Sequence, residues 1–107
     1  MDLDTLYTTL NASGLPVTYR AWDPPDHPAP PLPWICYLQT TNRPFAADGV
    51  AYYSGQQYRV ELYTAEKDPV SEQAVEAALT AAGIFYTKEE TYLDSESCYE
   101  IIYEIEV

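Results

Sequence analysis

Positive charge is scarce in this chain of 107 residues, where 5 Lys and Arg stand against 17 Asp and Glu and the formal net charge is −12. The basic residues are scattered singly along the sequence, as Arg20, Arg43, Arg59, Lys67 and Lys88. Proteins that bind nucleic acids by neutralising phosphates need clusters of Lys and Arg, and an anionic membrane surface attracts the same residues. The composition therefore argues against both kinds of partner.

Glycine and histidine are too few for several kinds of catalytic site, since the chain has four glycines and one histidine. Glycine-rich phosphate loops, HExxH and EF-hand patterns are all missing from the sequence. His27 has no nearby Ser or Cys with which to build a catalytic triad. Asp23, Asp26 and His27 are close in sequence, but the prolines between them do not converge ligands on a metal. We therefore predict a protein that is not an enzyme and has no cofactor and no metal.

Long apolar runs are also missing, so the sequence contains no segment that could span a bilayer. The first ten residues, MDLDTLYTTL, carry acids where a secretory signal needs positive charge, which argues against secretion by that route. Cys36 and Cys98 lack CxxC spacing. In a reducing compartment they are expected to be two buried free thiols, with a disulfide as the alternative.

Apolar residues make up 47% of the chain and aromatic residues 14%, which is enough to form a core. The length fits a single domain over residues 1–107. An i, i+3, i+4, i+7 pattern predicts an amphipathic helix over 3–12, and alternation predicts a strand over 16–22. The helical pattern consists of Leu3, Leu6, Tyr7 and Leu10.

A proline-rich segment, DPPDHPAPPLP, occupies residues 23–33. Proline removes a backbone donor and fixes φ, so the segment is expected to be a stiff, extended loop within the domain. Long loops of this kind are often functional, and a rigid crossover between two strands is the alternative.

The middle of the chain predicts strands joined by loops. Residues 34–41 are β-branched and aromatic and predict a central strand, and 42–49 predict a loop. The runs 50–54 and 57–64 around Ser54 and Gly55 fit a hairpin. In the second run one face is expected to be buried and the other wetter, with Tyr58, Val60 and Leu62 on the buried side.

Asp68 followed by Pro69 predicts the start of a helix that ends at Gly83. Its alanine-rich face, which also contains Val70, is expected on the sheet, and Glu72 and Glu76 lie on another face. Residues 84–93 and 97–107 then predict a hairpin. The core side of the strands is expected to include Tyr19, Tyr58, Tyr99 and Tyr103. These elements predict an α+β fold, a single antiparallel or mixed sheet with two helices packed on one face.

Several segments of the chain resemble small tail-completion or tail-terminator proteins of long-tailed phages and prophages. The similar segments are LPWICYLQTT, PFAADGVAYY, YRVELYTAEKD and PVSEQAVEAAL between Leu32 and Leu79, and SCYEIIYEIEV at the last strand. The resemblance implies an α+β virion protein, assembled in the bacterial cytoplasm as a homo-oligomeric ring that is commonly a hexamer. Such a ring caps the tail tube and joins it to the head connector, and DNA passes through it without binding. No cofactor and no catalysis are implied.

Candidate contact residues can be named within this hypothesis. The loops 23–33 and 42–49 are candidates for contacts with other subunits, the tube or the connector. The interface candidates are Trp34, Arg43, Phe45, Asp48, Tyr53 and Tyr63. A cation on a very acidic chain can pair across an interface, and exposed aromatic residues favour burial there. Acids of the last strand, Glu100, Glu104 and Glu106, are candidates for a lumen that repels DNA phosphates.

Two other classes of function fit the same sequence. An acidic inhibitor that mimics DNA would present its carboxylates to a host nucleic-acid-binding enzyme, and the net charge of −12 motivates this alternative. A small-molecule or carbohydrate-binding domain would use the aromatic residues. Binding to a basic host protein would indicate the inhibitor, and a saturable thermal shift with a small ligand would indicate the binding domain.

Overall fold

The computed structural model describes residues 2–47 and 50–107, with side chains described for 2–40 and 56–107. These residues form one mixed sheet with the strand order β1-β2-β3-β5-β4, in which β1 and β2 are parallel and the other neighbours are antiparallel. The elements are α1 (Leu3–Asn11), β1 (Val17–Tyr19), β2 (Trp34–Ala47), β3 (Val50–Thr64), α2 (Pro69–Ala81), β4 (Tyr86–Leu93) and β5 (Cys98–Glu106). The predicted α+β class is confirmed.

Both helices begin at an aspartate, whose carboxylate accepts one of the amide hydrogens left free in a first helical turn. Asp2 accepts from the backbone N–H of Thr5 at 2.8 Å, and Asp68 accepts from that of Ser71 at 3.1 Å. Pro69 then occupies the first turn of α2, as the sequence predicts. In none of the described helices is there an apolar stretch long enough to cross a membrane.

One face of the sheet is covered by both helices. The strand register aligns Ile35, Leu62 and Ile101 in one row and Tyr37, Val60 and Tyr103 in the next. Leu6 and Leu10 of α1 pack into the same buried cluster as Val75 and Leu79 of α2. The prediction of two helices on one face is therefore confirmed. No helix covers the opposite face among the described residues, and we call it the open face.

Helix α2 is rotated relative to the predicted orientation. Val70, expected on the buried face, is 77% exposed, whereas Val75 and Leu79 are fully buried. Glu72, expected on a solvated face, is only 3% exposed. The alanine stripe offers less apolar area than Val75 and Leu79, so burying the larger side chains stabilises the helix more. Glu72 is buried with them because two lysines neutralise it.

Among the tyrosines expected on the core side, Tyr58 and Tyr103 are buried. Tyr99 is half-buried. Tyr19 is 41% exposed, so its assignment to the core is wrong. Tyr19 ends the three-residue strand β1 at the sheet edge, where its ring packs edge-on against Tyr37 at 5.1 Å and its other side meets solvent.

The proline-rich segment is the crossover that brings the parallel strands β1 and β2 side by side. This confirms the alternative of a strand-to-strand crossover. The backbone is not extended throughout, because Asp23 and His27 exchange two backbone hydrogen bonds, of 2.7 and 2.8 Å, and close a tight turn. Parallel strands usually need a helix for their connection, and here prolines supply the rigidity instead.

The β2–β3 hairpin is longer than predicted. Residues 42–47, expected to form a loop, belong to β2, and Ser54 and Gly55, expected at a turn, lie inside β3. The two strands pair from Trp34–Tyr63 to Ala47–Val50, with register shifts near Gln39 and Asn42. The two runs 50–54 and 57–64 are therefore one strand, and the described sheet has five strands instead of six.

Candidate functional site

The open face of the sheet combines aromatic rings with half-buried carboxylates. Alternation along β3 places Glu61 and Tyr63 on this face, because Val60 and Leu62 point to the helices. The register sets Glu100 of β5 opposite Tyr63, and Trp34 of β2 opposite Tyr63 on its other side. Three neighbouring strands thus contribute one side chain each to the same row.

A chain of aromatic rings runs from the proline-rich loop onto this face. The His27 ring stacks on Trp22 with centroids 4.8 Å apart, and Trp22 meets Trp34 edge-on at 5.8 Å. Trp34 then contacts Tyr63 at 4.7 Å. His27 Nε2 also lies 3.2 Å from the Thr18 hydroxyl, which ties the loop to β1. The rings anchor the loop and leave part of Trp34 and Tyr63 accessible.

Two cavities adjoin this row and share Trp34 and Tyr63 as walls. The first, of about 310 Å³, is also lined by Arg20, Ala21, Trp22, Ala29 and Cys36. The second, of about 480 Å³, is also lined by Leu32, Leu93, Glu96 and Cys98. We call the two cavities together the aromatic groove. Its walls are largely apolar, which is the usual composition of a ligand or segment site.

The Tyr63 hydroxyl lies between two carboxylates. It is 2.9 Å from Glu100 Oε2 and 3.2 Å from Glu61 Oε1. A tyrosine hydroxyl has one hydrogen to donate, so it cannot satisfy both acceptors fully. Glu61 also lies close enough to Glu100 for a hydrogen bond between the two carboxyl groups, which forms when one of them is protonated.

This arrangement changes the acidity of the groups involved. Burial raises the pKa of Glu61 to about 7, and the nearby Glu100 adds to the effect. Burial, then the charges of Glu61 and Glu100, raise the pKa of the Cys36 thiol to about 12. The pKa of Tyr63 is also raised, first by burial and then by its hydrogen bond to Glu100. The cluster therefore resists carrying two negative charges.

The predicted lumen residues all lie on the open face. Glu104 is paired with Arg59 at 3.0 Å, and Glu106 accepts from the Gln57 side-chain amide at 3.3 Å. Glu100 is half-buried in the cluster with Tyr63, whereas Glu104 and Glu106 are exposed. A lumen lined by these three residues stays a prediction.

The predicted interface residues are only partly brought together. Trp34 and Tyr63 are in contact on the open face. The side chains of Arg43, Phe45 and Tyr53, and the whole of Asp48, lie outside the described residues. Within the described part of the chain, Asp23, Asp26 and His27 do not form a cluster that could hold a metal.

Sequence reasoning missed the pairing of Glu61 with Glu100 and the role of Trp22. Alternation along each strand is sufficient to place both glutamates on an outer face. Their proximity depends on β3 lying beside β5, and the 33 residues 65–97, which contain α2 and β4, separate the two strands in sequence. Trp22 reaches Trp34 through the fold of the proline-rich loop, for which the sequence carries no pairing signal.

No protein-family model, curated protein or solved structure matches this chain.

Proposed function

We propose that this protein is a structural subunit of a phage or prophage tail, which assembles with copies of itself into a ring that caps the tail tube and joins it to the head connector. The resemblance of the segments between Leu32 and Leu79, and of the last strand, supports this function. A second support is the end of the β2–β3 hairpin near its turn, which has no other neighbouring strand in the described sheet.

The far end of the hairpin extends beyond the rest of the sheet. Among the described residues, β5 pairs with β3 only from Gln57 to Thr64, and β1 pairs with β2 only from Ile35 to Tyr37. Residues 42–47 therefore pair only with residues of β3, and residues 50–55 have no partner strand other than β2 in the described sheet; we call 42–47 and 50–55 the β2–β3 arm. Six residues of strand span roughly 20 Å.

The arm is expected to need a neighbour. The molecule measures 49 × 30 × 27 Å, and its radius of gyration of 15.0 Å exceeds the roughly 13 Å of a compact domain of this length. An isolated two-stranded ribbon is marginally stable at best in water. An arm that lies on the next subunit of a ring would gain the missing burial. Arg43, Phe45 and Tyr53 belong to this arm by sequence.

The test is the mass of the assembly, measured by sedimentation and native mass spectrometry over a series of protein and salt concentrations. We expect the wild type to form a closed oligomer as concentration rises. Salt should strengthen association, because it screens the repulsion between subunits of net charge −12 over about 10 Å at 0.1 M.

Two variants locate the interface. Replacing residues 43–54 by an Asn-Gly turn should leave a folded monomer, and Arg43→Glu with Phe45→Ser should weaken association. Arg20→Glu makes the same change of charge outside the arm and serves as the control. A wild type that stays monomeric at high concentration and high salt would contradict self-assembly. A shortened variant that still assembles would exclude the arm from the interface.

A further inference from the structure

We propose that the aromatic groove binds an extended segment of a partner protein, which inserts one arginine or lysine side chain beside Trp34 and Tyr63 and against the carboxylates of Glu61 and Glu100. This proposal does not depend on ring assembly, because every element of the groove belongs to a single subunit.

Charge is the first reason. Glu61 and Glu100 are half-buried and close together, and the single hydrogen of Tyr63 lies between them. Two cations lie near the groove among the described side chains: Arg59 directs its Nε to Glu104 at 3.0 Å, and Arg20 lines the first cavity. Half-buried carboxylates of this kind are stabilised by a positive charge or by a proton. An incoming guanidinium or ammonium group supplies the positive charge and the additional donors.

The aromatic rings are the second reason. A cation over the face of a Trp or Tyr ring gains from the negative face of the ring, and the gain is larger where water is excluded. Arginine combines this stacking with paired hydrogen bonds to a carboxylate. Its apolar stem would lie along the groove walls, where Leu32 and Leu93 contribute aliphatic surface.

The shape of the groove favours a protein segment over a small amine. The cavities of about 310 and 480 Å³ share one wall, so neighbouring side chains of one extended segment can occupy both. The indole N–H of Trp22, a wall of the first cavity, is buried and has no acceptor among the described residues. A main-chain carbonyl of a bound segment would provide an acceptor, which a simple amine lacks.

Binding of the cation to the aromatic groove should depend on pH. Burial and the nearby Glu100 raise the pKa of Glu61 to about 7, so near neutral pH part of the protein carries a proton on Glu61, which competes with the cation. The ionisable groups around Glu61 come from four strands, namely Cys36 of β2, Arg59 and Tyr63 of β3, Glu100 and Glu104 of β5, and Glu89 of β4. The cation should therefore bind more tightly above pH 7 than below it.

Intrinsic fluorescence can test the proposal, because both tryptophans of the chain, Trp22 and Trp34, line the groove. The probe is a short synthetic peptide with one arginine between leucines, and its twin has glutamine in place of arginine. Both are titrated into a dilute protein solution in which sedimentation shows a monomer. The protein variants are Glu61→Gln, Glu100→Gln and the double variant, with Glu106→Gln as the control on the same face.

We expect saturable binding of the arginine peptide above pH 7, a roughly tenfold loss in the double variant, equivalent to about 1.4 kcal/mol, and no change in Glu106→Gln. The glutamine peptide should bind the wild type no more tightly than the arginine peptide binds the double variant. Equal binding of the two peptides, or equal affinity of wild type and double variant, would overturn the proposal. The proposal also fails if only self-association, and not peptide binding, responds to Glu100→Gln, because a second copy would then be the occupant.

Discussion

Lys88 of the edge strand β4 and Glu72 of helix α2 form an ion pair of 2.7 Å across the helix-covered face of the sheet. Lys67 binds the other carboxylate oxygen of Glu72, also at 2.7 Å. Lys88 reaches Glu76 at 2.8 Å as well, and the Tyr103 hydroxyl donates to the same Glu76 oxygen. One network thus joins α2 to the edge strand and to the buried strand β5.

The first prediction concerns Glu72. Burial by itself would raise the pKa of Glu72, but the hydrogen bonds from Lys67 and Lys88 outweigh it and hold the pKa below its usual value. Glu72→Gln should lower the free energy of unfolding by about 1–2 kcal/mol near pH 7, because a charge-assisted contact is lost at a buried position. Chemical denaturation measures the difference.

Glu90→Gln is the matched control, since Glu90 is exposed and pairs only with Lys67 among the described residues. This change should cost less than about 0.5 kcal/mol. The contribution of Glu72 is present above its ordinary pKa of 4.5 and is lost as the pH falls through its lower folded-state pKa. Equal effects of the two substitutions would show that burial of Glu72 does not strengthen its ion pairs.

The second prediction concerns the pH dependence of Glu61, which has the opposite sign. The folded-state pKa of about 7 lies above the ordinary value of 4.5, so the folded protein binds the extra proton between these limits. This contribution to stability is therefore present at low pH and decreases as the pH rises from 4.5 to 7. Glu61→Gln should remove this decrease and stabilise the protein above pH 7 by on the order of 1 kcal/mol, allowing for solvent screening.

Thermal unfolding of wild type and Glu61→Gln across this pH range measures the effect. Glu106→Gln, an exposed acid on the same face, is the comparison and should leave the pH profile nearly unchanged. Parallel pH profiles for wild type and Glu61→Gln would show that Glu61 titrates at its ordinary pKa.

The third prediction tests the orientation of α2. Leu79 is fully buried and Val70 is 77% exposed, although both lie on the same helix. Leu79→Ala should destabilise the protein by about 2–5 kcal/mol through lost burial and a cavity. Val70→Ala should change stability by less than about 0.5 kcal/mol. Denaturant unfolding compares the two variants, and a larger loss from Val70→Ala would favour the orientation that the alanine stripe predicts.

The fourth prediction concerns the cysteines, which are free and buried in the folded chain, in agreement with the sequence-based expectation. Burial raises the pKa of both thiols, that of Cys36 to about 12, so the reactive thiolate is scarce at neutral pH. A thiol reagent should label the native protein slowly and should add two labels rapidly after unfolding without reductant. Mass spectrometry counts the labels, and an unlabelled unfolded chain would indicate a disulfide.

Local sequence signals determined much of the fold. Asp68 before Pro69 fixes the start of α2, since a carboxylate satisfies free amides there and proline already has the helical φ. Strict alternation in β3 and β5 identifies the side chains that the helices cover, because successive residues of a strand point to opposite faces. These signals depend only on neighbouring residues, and the structure confirms them.

Tertiary structure decided which elements meet. The strand order β1-β2-β3-β5-β4 places Glu61, Tyr63 and Glu100 together, and that order depends on long-range pairing that no local pattern encodes. The β2–β3 pairing also continues β2 through residues 42–47, for which the sequence predicts a loop. Pro44 lacks a backbone N–H, and it is tolerated there because that part of β2 has no second neighbouring strand in the described sheet. The burial of Glu72 also depends on long-range pairing. Lys88 comes within reach of Glu72 because β4 lies beside β5, and the charge of Lys88 offsets the free-energy cost of burying the carboxylate.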